Sequence, residues 1–129
     1  MHMDSPLLSN LPKSLNYLGL SDHGRINPRR VSEFLDLSKA EIATATSLKA
    51  SSVRFDKKMP KELMERLEQI GTVCLWVAEY FEGDPEKTAL WFRTLNPQLG
   101  FTTPRDMIRI GRYKELLKFI MAAREGYSE

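Results

Sequence analysis

Pro60-Lys61-Glu62-Leu63-Met64-Glu65-Arg66-Leu67-Glu68-Gln69-Ile70-Gly71-Thr72-Val73-Cys74-Leu75-Trp76-Val77-Ala78-Glu79-Tyr80-Phe81 is the longest periodic stretch of the chain. Its apolar positions Leu63, Leu67, Ile70, Cys74, Val77 and Phe81 step by 4-3-4-3-4, the spacing that gathers side chains on one face of an α-helix. Pro60 suits the first helical position, where its missing N–H costs nothing. The stripe spans under three heptads, so packing inside a domain is a better reading than a coiled coil. Gly71 costs roughly 1 kcal/mol relative to Ala in mid-helix, which points to close approach of another element there. Cys74 lies in the stripe and reads as a buried small hydrophobe.

Working outward, each neighbouring segment opens on capping chemistry. Asn27 caps a helix with Pro28 at its first position and with Ile26 and Val31 at the staple positions; it stops near Leu37. Ser38-Lys39-Ala40-Glu41 is a capping box, followed by Ile42, Ala43 and Thr46 on one face. Asp84-Pro85 opens a helix carrying Ala89, Leu90, Trp91 and Phe92, and Thr103-Pro104 opens another carrying Met107 and Ile108. A last amphipathic stretch runs from about Arg112 to Arg124 and buries Leu116, Leu117 and Ile120. Strand-like alternation is lacking, so the expected fold class is all-α. Residues 1–24 form an N-terminal extension whose Leu7, Leu8, Leu11, Leu15, Tyr17, Leu18 and Leu20 are too apolar for a solvated tail; they are expected to dock on the core or on a second copy.

The 129 residues suffice for one domain, or two small units sharing a core, and 42% hydrophobic with 28% charged residues is the balance of a globular chain. Apolar runs fall far short of the roughly 20 residues that cross a membrane. With a lone cysteine and no basic-then-apolar leader, the expected compartment is the cytoplasm. The net charge is only +2, but it is unevenly spread. Residues 25–61 hold nine Lys and Arg against four acids, residues 62–86 seven acids against Arg66 alone, and residues 87–129 eight bases against four acids. The blocks are +5, −6 and +4, a pattern of segments with separate jobs, or else of solvated faces.

The +5 block falls on Ser38 to Arg54, which has the spacing of a DNA-binding helix-turn-helix. Ala43 is the small residue where two helices touch, Ser47 the turn, Leu48 its apolar pin and Val53 the buried aliphatic of the second helix. That second helix is expected over about Ala50 to Asp56. Lys49, Ser51, Ser52 and Arg54 would face outward, with Lys57 and Lys58 behind and Arg29 and Arg30 placed for backbone phosphates. The competing reading keeps a helical scaffold that reads no DNA.

The C-terminal third is more specific. Its elements are Trp91-Phe92, Asn96-Pro97-Gln98-Leu99-Gly100, Thr103-Pro104-Arg105-Asp106-Met107-Ile108 and Gly111-Arg112. In this order and spacing they resemble the toxin-binding domain of the Xre/MbcA/ParS antitoxin family, over about residues 89–126. The helix-turn-helix ahead of them is what that family places there. Two positions depart: Phe101 and Tyr113 stand where family members often carry Gly. The resemblance implies a helix-turn-helix unit over residues 25–82 and a toxin-binding unit over 83–129. It also implies a RES-domain toxin as partner, an enzyme that degrades NAD or transfers ADP-ribose from it. The antitoxin's C-terminal region covers the toxin's active-site entrance, while the protein, usually a homodimer, represses its own operon by binding operator DNA.

Carried onto this chain, the expected toxin-binding residues are Trp91, Asn96, Pro97, Leu99, Gly100, Arg105, Arg109, Gly111, Arg112, Tyr113 and Lys114. Trp91, Phe92, Leu95 and Leu99 are expected largely as filling beneath the loop, and Arg105, Arg109, Arg112, Tyr113 and Lys114 as the exposed contacts. No catalytic role is expected of the chain. Its histidines are His2, in a tripeptide that reads as an addition, and His23 in a polar loop; no metal cluster or phosphate loop is visible, and no cofactor is implied. Glu62, Glu65, Glu68, Glu79 and Glu82 read as a solvated helix face. Two other readings stay open: a stand-alone helix-turn-helix regulator without a toxin, and a protein-binding inhibitor that reads no DNA.

Overall fold

Lys61–Tyr80 forms a 20-residue helix (α3) that is buried continuously from Ile70 to Ala78, and the other elements wrap it. In this computed structural model the described residues are 17–126; Leu7, Leu8, Leu11 and Leu15 of the extension lie outside them. The chain enters through a 3₁₀ turn at Tyr17–Gly19 and a small antiparallel hairpin pairing Ser21–Asp22 with Arg25–Ile26, which sequence reading missed. Two-residue strands carry no periodicity to detect. Helices α1 (Pro28–Phe34), α2 (Lys39–Thr46), α4 (Pro85–Phe92), α5 (Pro104–Arg109) and α6 (Tyr113–Gly126) complete an all-α fold.

The caps form as the residues dictate. Asn27 accepts from the N–H groups of Arg29 and Arg30, Asp84 from Glu86 and Lys87, and Thr103 from Asp106, each followed by proline in the first turn. Ser38 and Glu41 close a full capping box. Pro60 sits one position ahead of its helix, with extended backbone at ψ 144°.

Gly71 explains itself by contact. A Cβ there would lie 2.8 Å from Val31 Cγ2 and 2.9 Å from Ile26 Cγ2, so the glycine lets α1 and the hairpin settle against α3. Leu20 is fully buried in the same core and Tyr17 and Leu18 pack against it, so this part of the extension docks on the chain. One hydrophobic cluster holds Val31, Leu35, Ile42 and Leu67 together with Phe92, Ile108, Leu116 and Ile120, so residues 25–82 and 83–126 share a core.

The second helix of the helix-turn-helix does not form as read. The turn itself does: Ser47 adopts left-handed φ 59°, ψ 36°, and the Leu48 N–H returns to the Ala43 carbonyl at 3.0 Å. Beyond it lies a single 3₁₀ turn, Ala50–Ser52, after which Val53 is already extended at ψ 92°. Paired serines and a β-branched residue favour turn over helix. Asp56 then holds the Lys58 N–H at 2.9 Å, which turns the chain toward α3. Val53 is buried, so the expected apolar contact is kept without the helix.

Candidate partner-binding surface

Three arginines bind the later segments to the ends of α1 and α2. The last carbonyls of a helix lack intrahelical partners and carry the negative end of its dipole. Arg105 donates through Nε to the Leu35 carbonyl at 2.5 Å and through a terminal nitrogen to the Asp36 carbonyl at 2.6 Å. Arg93 donates to the Phe34 carbonyl at 3.4 Å, and Arg66 to the Thr46 carbonyl. Arg105 and Arg109 also flank Glu41, at 3.8 and 3.9 Å. Arg109 donates as well to Asp106 at 3.0 Å, and Arg112 to Glu115 at 2.6 Å. The Glu41 carboxyl is held below its ordinary range, first by the Ser38 backbone N–H and then by these arginines, against some desolvation.

Arg105 is therefore anchored inside the chain and corrects the expectation of an exposed contact. Tyr113 is corrected likewise: it is only 8% exposed, and its hydroxyl donates to Gln69 Oε1 at 2.8 Å. As first residue of α6, lying over α3, it is drawn inward by its ring. Gly111 turns at φ 89°, and a Cβ there would stand 3.0 Å from the Thr44 carbonyl, so this glycine serves the contact with α2. Lys114 and Arg112 are exposed.

The Asn96–Gly100 loop is built as its residues require. The Asn96 side chain accepts from the Gln98 N–H at 2.9 Å, a 3₁₀ turn spans Pro97–Leu99, and Gly100 closes it at φ 79°. Asn96 then pairs with Thr102 as an isolated bridge, its N–H reaching the Thr102 carbonyl at 3.0 Å. Leu99 packs partly against the core. Phe101, in the position where Gly was the expected alternative, is forced to φ 59° with 70% of its surface exposed.

Leu95 was expected beneath this loop. It is instead 61% exposed, because it leaves α4 just past the C-cap Arg93 and points away as Asn96 turns to meet Thr102. Leu90, one turn earlier, is 67% exposed, and the Thr94 hydroxyl bonds its carbonyl at 2.6 Å. Leu90, Leu95 and Phe101 thus form an outward apolar tip where α4 runs into the loop. Apolar side chains clustered this way on a surface mark contact sites. The sequence signal was present in Phe101: a left-handed position held by an aromatic.

Trp91 is half buried, edge-on to Phe92 at 5.1 Å between centroids. Its other side opens on a groove of about 200 Å³ shared with Trp76, Tyr80, Phe81, Phe119 and Arg124. Arg124 lies over the Trp76 ring at 4.7 Å and pairs with Glu79 at 3.3 Å.

The expected DNA-reading residues lie apart from this tip, on the other side of α2 in the chain's path. Lys49, Ser51, Lys57 and Lys58 are exposed and Ser52 is half buried. Arg54 is engaged by Asp56 through both Nε and a terminal nitrogen, at 2.8 and 2.5 Å. Arg29 stacks over Phe55 at 5.2 Å. Arg30 is tied to Asp22 at 3.0 Å and to the Ser21 carbonyl at 3.2 Å. Among the described residues, no three His, Cys, Asp or Glu side chains gather in a way that holds a metal, and no helix is long and apolar enough to cross a membrane.

Comparison of the chain with protein-family models, with curated proteins and with solved structures returns no match.

Proposed function

We propose that the chain is a non-enzymatic antitoxin of the Xre/MbcA/ParS kind, which neutralises a RES-domain, NAD-consuming toxin by covering its active site with the segment from Trp91 onward. The observation that carries this reading is the tip itself. The loop of the resembling motif is rigidly built by Asn96, Gly100 and the bridge to Thr102, yet it presents Leu90, Leu95 and Phe101 to solvent. A stable loop with its apolar groups outside is suited to a protein partner. Contact then centres on these three side chains, with Asn96, Pro97, Arg109, Arg112 and Lys114 at the polar rim, while Arg105, Gly111 and Tyr113 support the surface from within.

Operator binding is the second activity, favoured by the exposed Lys49, Lys57 and Lys58 around the 3₁₀ turn. With one turn in place of a recognition helix, these cations suit phosphate contacts more than base reading. A homodimer would double such contacts on a palindromic site.

Co-expression with a RES-domain protein tests the reading. A stable complex, with NAD preserved in cells that otherwise lose it, is the expected result. Leu95→Glu with Phe101→Glu should abolish both while the purified chain keeps its helical spectrum. NAD loss undiminished by the wild-type chain overturns the toxin half. Lys57→Ala with Lys58→Ala should weaken promoter binding, flatten its salt dependence and spare neutralisation. Promoter binding that survives this change unaltered rejects the DNA surface.

A further inference from the structure

The groove beside Trp91 has a wall of aromatic rings from three helices, and the described chain begins next to it. The Tyr17 ring lies against Gly83, where a Cβ would meet Tyr17 Cε1 at 2.8 Å. Gly83 is two residues beyond Phe81, which ends α3 and lines the groove. The residues ahead of Tyr17 therefore leave from the groove's end. They read Pro6-Leu7-Leu8-Ser9-Asn10-Leu11-Pro12-Lys13-Ser14-Leu15-Asn16, with four leucines in nine positions. Leu15 and Leu11, two and six residues from Tyr17, have a reach of at most about 7 and 20 Å, enough to enter the groove and run along it.

We propose that residues 7–15 close over this groove of their own chain, seating leucines against Trp76, Tyr80, Trp91 and Phe119. The strap's chemistry matches the wall: aliphatic side chains over aromatic faces, and only Lys13 charged. Because the groove also takes in Trp91 and Asn96, the strap abuts the loop that carries the exposed tip. The inference does not depend on what the tip binds.

Both tryptophans of the chain line the groove, which makes the proposal measurable. A bimane fluorophore on Ser9→Cys in the full chain reports contact, since indole quenches bimane on close approach. The label goes to position 9 because the Cys74 thiol is fully buried and burial pushes its pKa well up. The expected result is emission several-fold lower than in the same labelled chain with Trp76→Phe and Trp91→Phe, unchanged on hundred-fold dilution. Leu8→Asp with Leu11→Asp should release the quenching while the helical circular dichroism stays the same, which keeps the test valid if the tryptophan variant fails to fold. Equal emission with and without the tryptophans, or quenching that survives Leu8→Asp with Leu11→Asp, overturns the proposal. Quenching that fades on dilution overturns it in favour of a second copy as occupant.

Discussion

The guanidinium of Arg105 closes the open end of α1 from 70 residues away, donating to the Leu35 carbonyl at 2.5 Å and to that of Asp36 at 2.6 Å. Removing it leaves two carbonyls at a helix end without their charged donor. Hydrogen bonds to charged groups contribute about 1.5–3 kcal/mol. Arg105→Ala should therefore lower stability by roughly 2 kcal/mol in a denaturant titration. Arg105→Lys should recover only part, because an ammonium cannot reproduce the fork that reaches both carbonyls.

Gly71 predicts a substitution that opposes helix propensity. Alanine there gains about 1 kcal/mol of intrinsic preference. It also drives a methyl to 2.8 Å from Val31 Cγ2 and 2.9 Å from Ile26 Cγ2, inside a fully buried contact. Overpacking costs about 1–3 kcal/mol. Gly71→Ala should thus be neutral to destabilising by up to about 2 kcal/mol. In the Val31→Ala background, where one obstructing methyl is gone, it should be the more favourable change, a coupling that a double-mutant cycle reads directly.

Phe101 carries a conformation that L-residues other than Asn and Asp avoid, at a cost of about 1–2 kcal/mol. Its ring is exposed, so little packing is lost with it. Phe101→Gly should raise the thermal midpoint slightly, by the equivalent of about 0.5–1 kcal/mol after glycine's own entropic cost. The same change should weaken binding of the RES-domain partner. Opposite signs in melting and binding would mark a position strained for contact.

Two carboxylates give opposite dependences on pH. Glu41 has its folded pKa below the ordinary 4.5, through the Ser38 N–H first and then Arg105 and Arg109. Its contribution is complete above that ordinary value and fades as pH falls through the lowered one. Glu68 is raised by burial, only partly offset by Arg25 at 3.7 Å. Its ionisation opposes folding, so the cost grows as pH rises through 4.5 toward its raised value. Glu41→Gln should flatten the acid limb of the stability curve, and Glu68→Gln should stabilise at pH 7 with the gain vanishing in acid.

The helices were legible because their signals are local. Asn27-Pro28, Ser38 with Glu41, Asp84-Pro85 and Thr103-Pro104 each state a start within four residues, and Gly71 announced a close approach. What stayed hidden depends on distant partners. Arg105 and Tyr113 read as surface residues because arginines and tyrosines often are; only the fold brings Leu35 and Gln69 beside them. Leu95 read as core because it is leucine, yet the pairing of Asn96 with Thr102 turns it out. The stretch after Ser47 has the spacing of a recognition helix, but Ser51, Ser52 and Val53 resolve in favour of a single turn.

The three arginines have a consequence for the order in which the molecule is finished. Arg66, Arg93 and Arg105 lie downstream of the helix ends they close, at Thr46, Phe34 and Leu35. A chain emerging from the ribosome exposes α1 and α2 while those carbonyls still face water, and domains complete only when their distant contacts arrive. Cutting after Gly100 removes Arg105 together with α5 and α6, so it leaves an unfinished protein rather than a trimmed one. Newly made chains stay open to proteases until the last third is out, which sets the supply of active protein by the completion of synthesis.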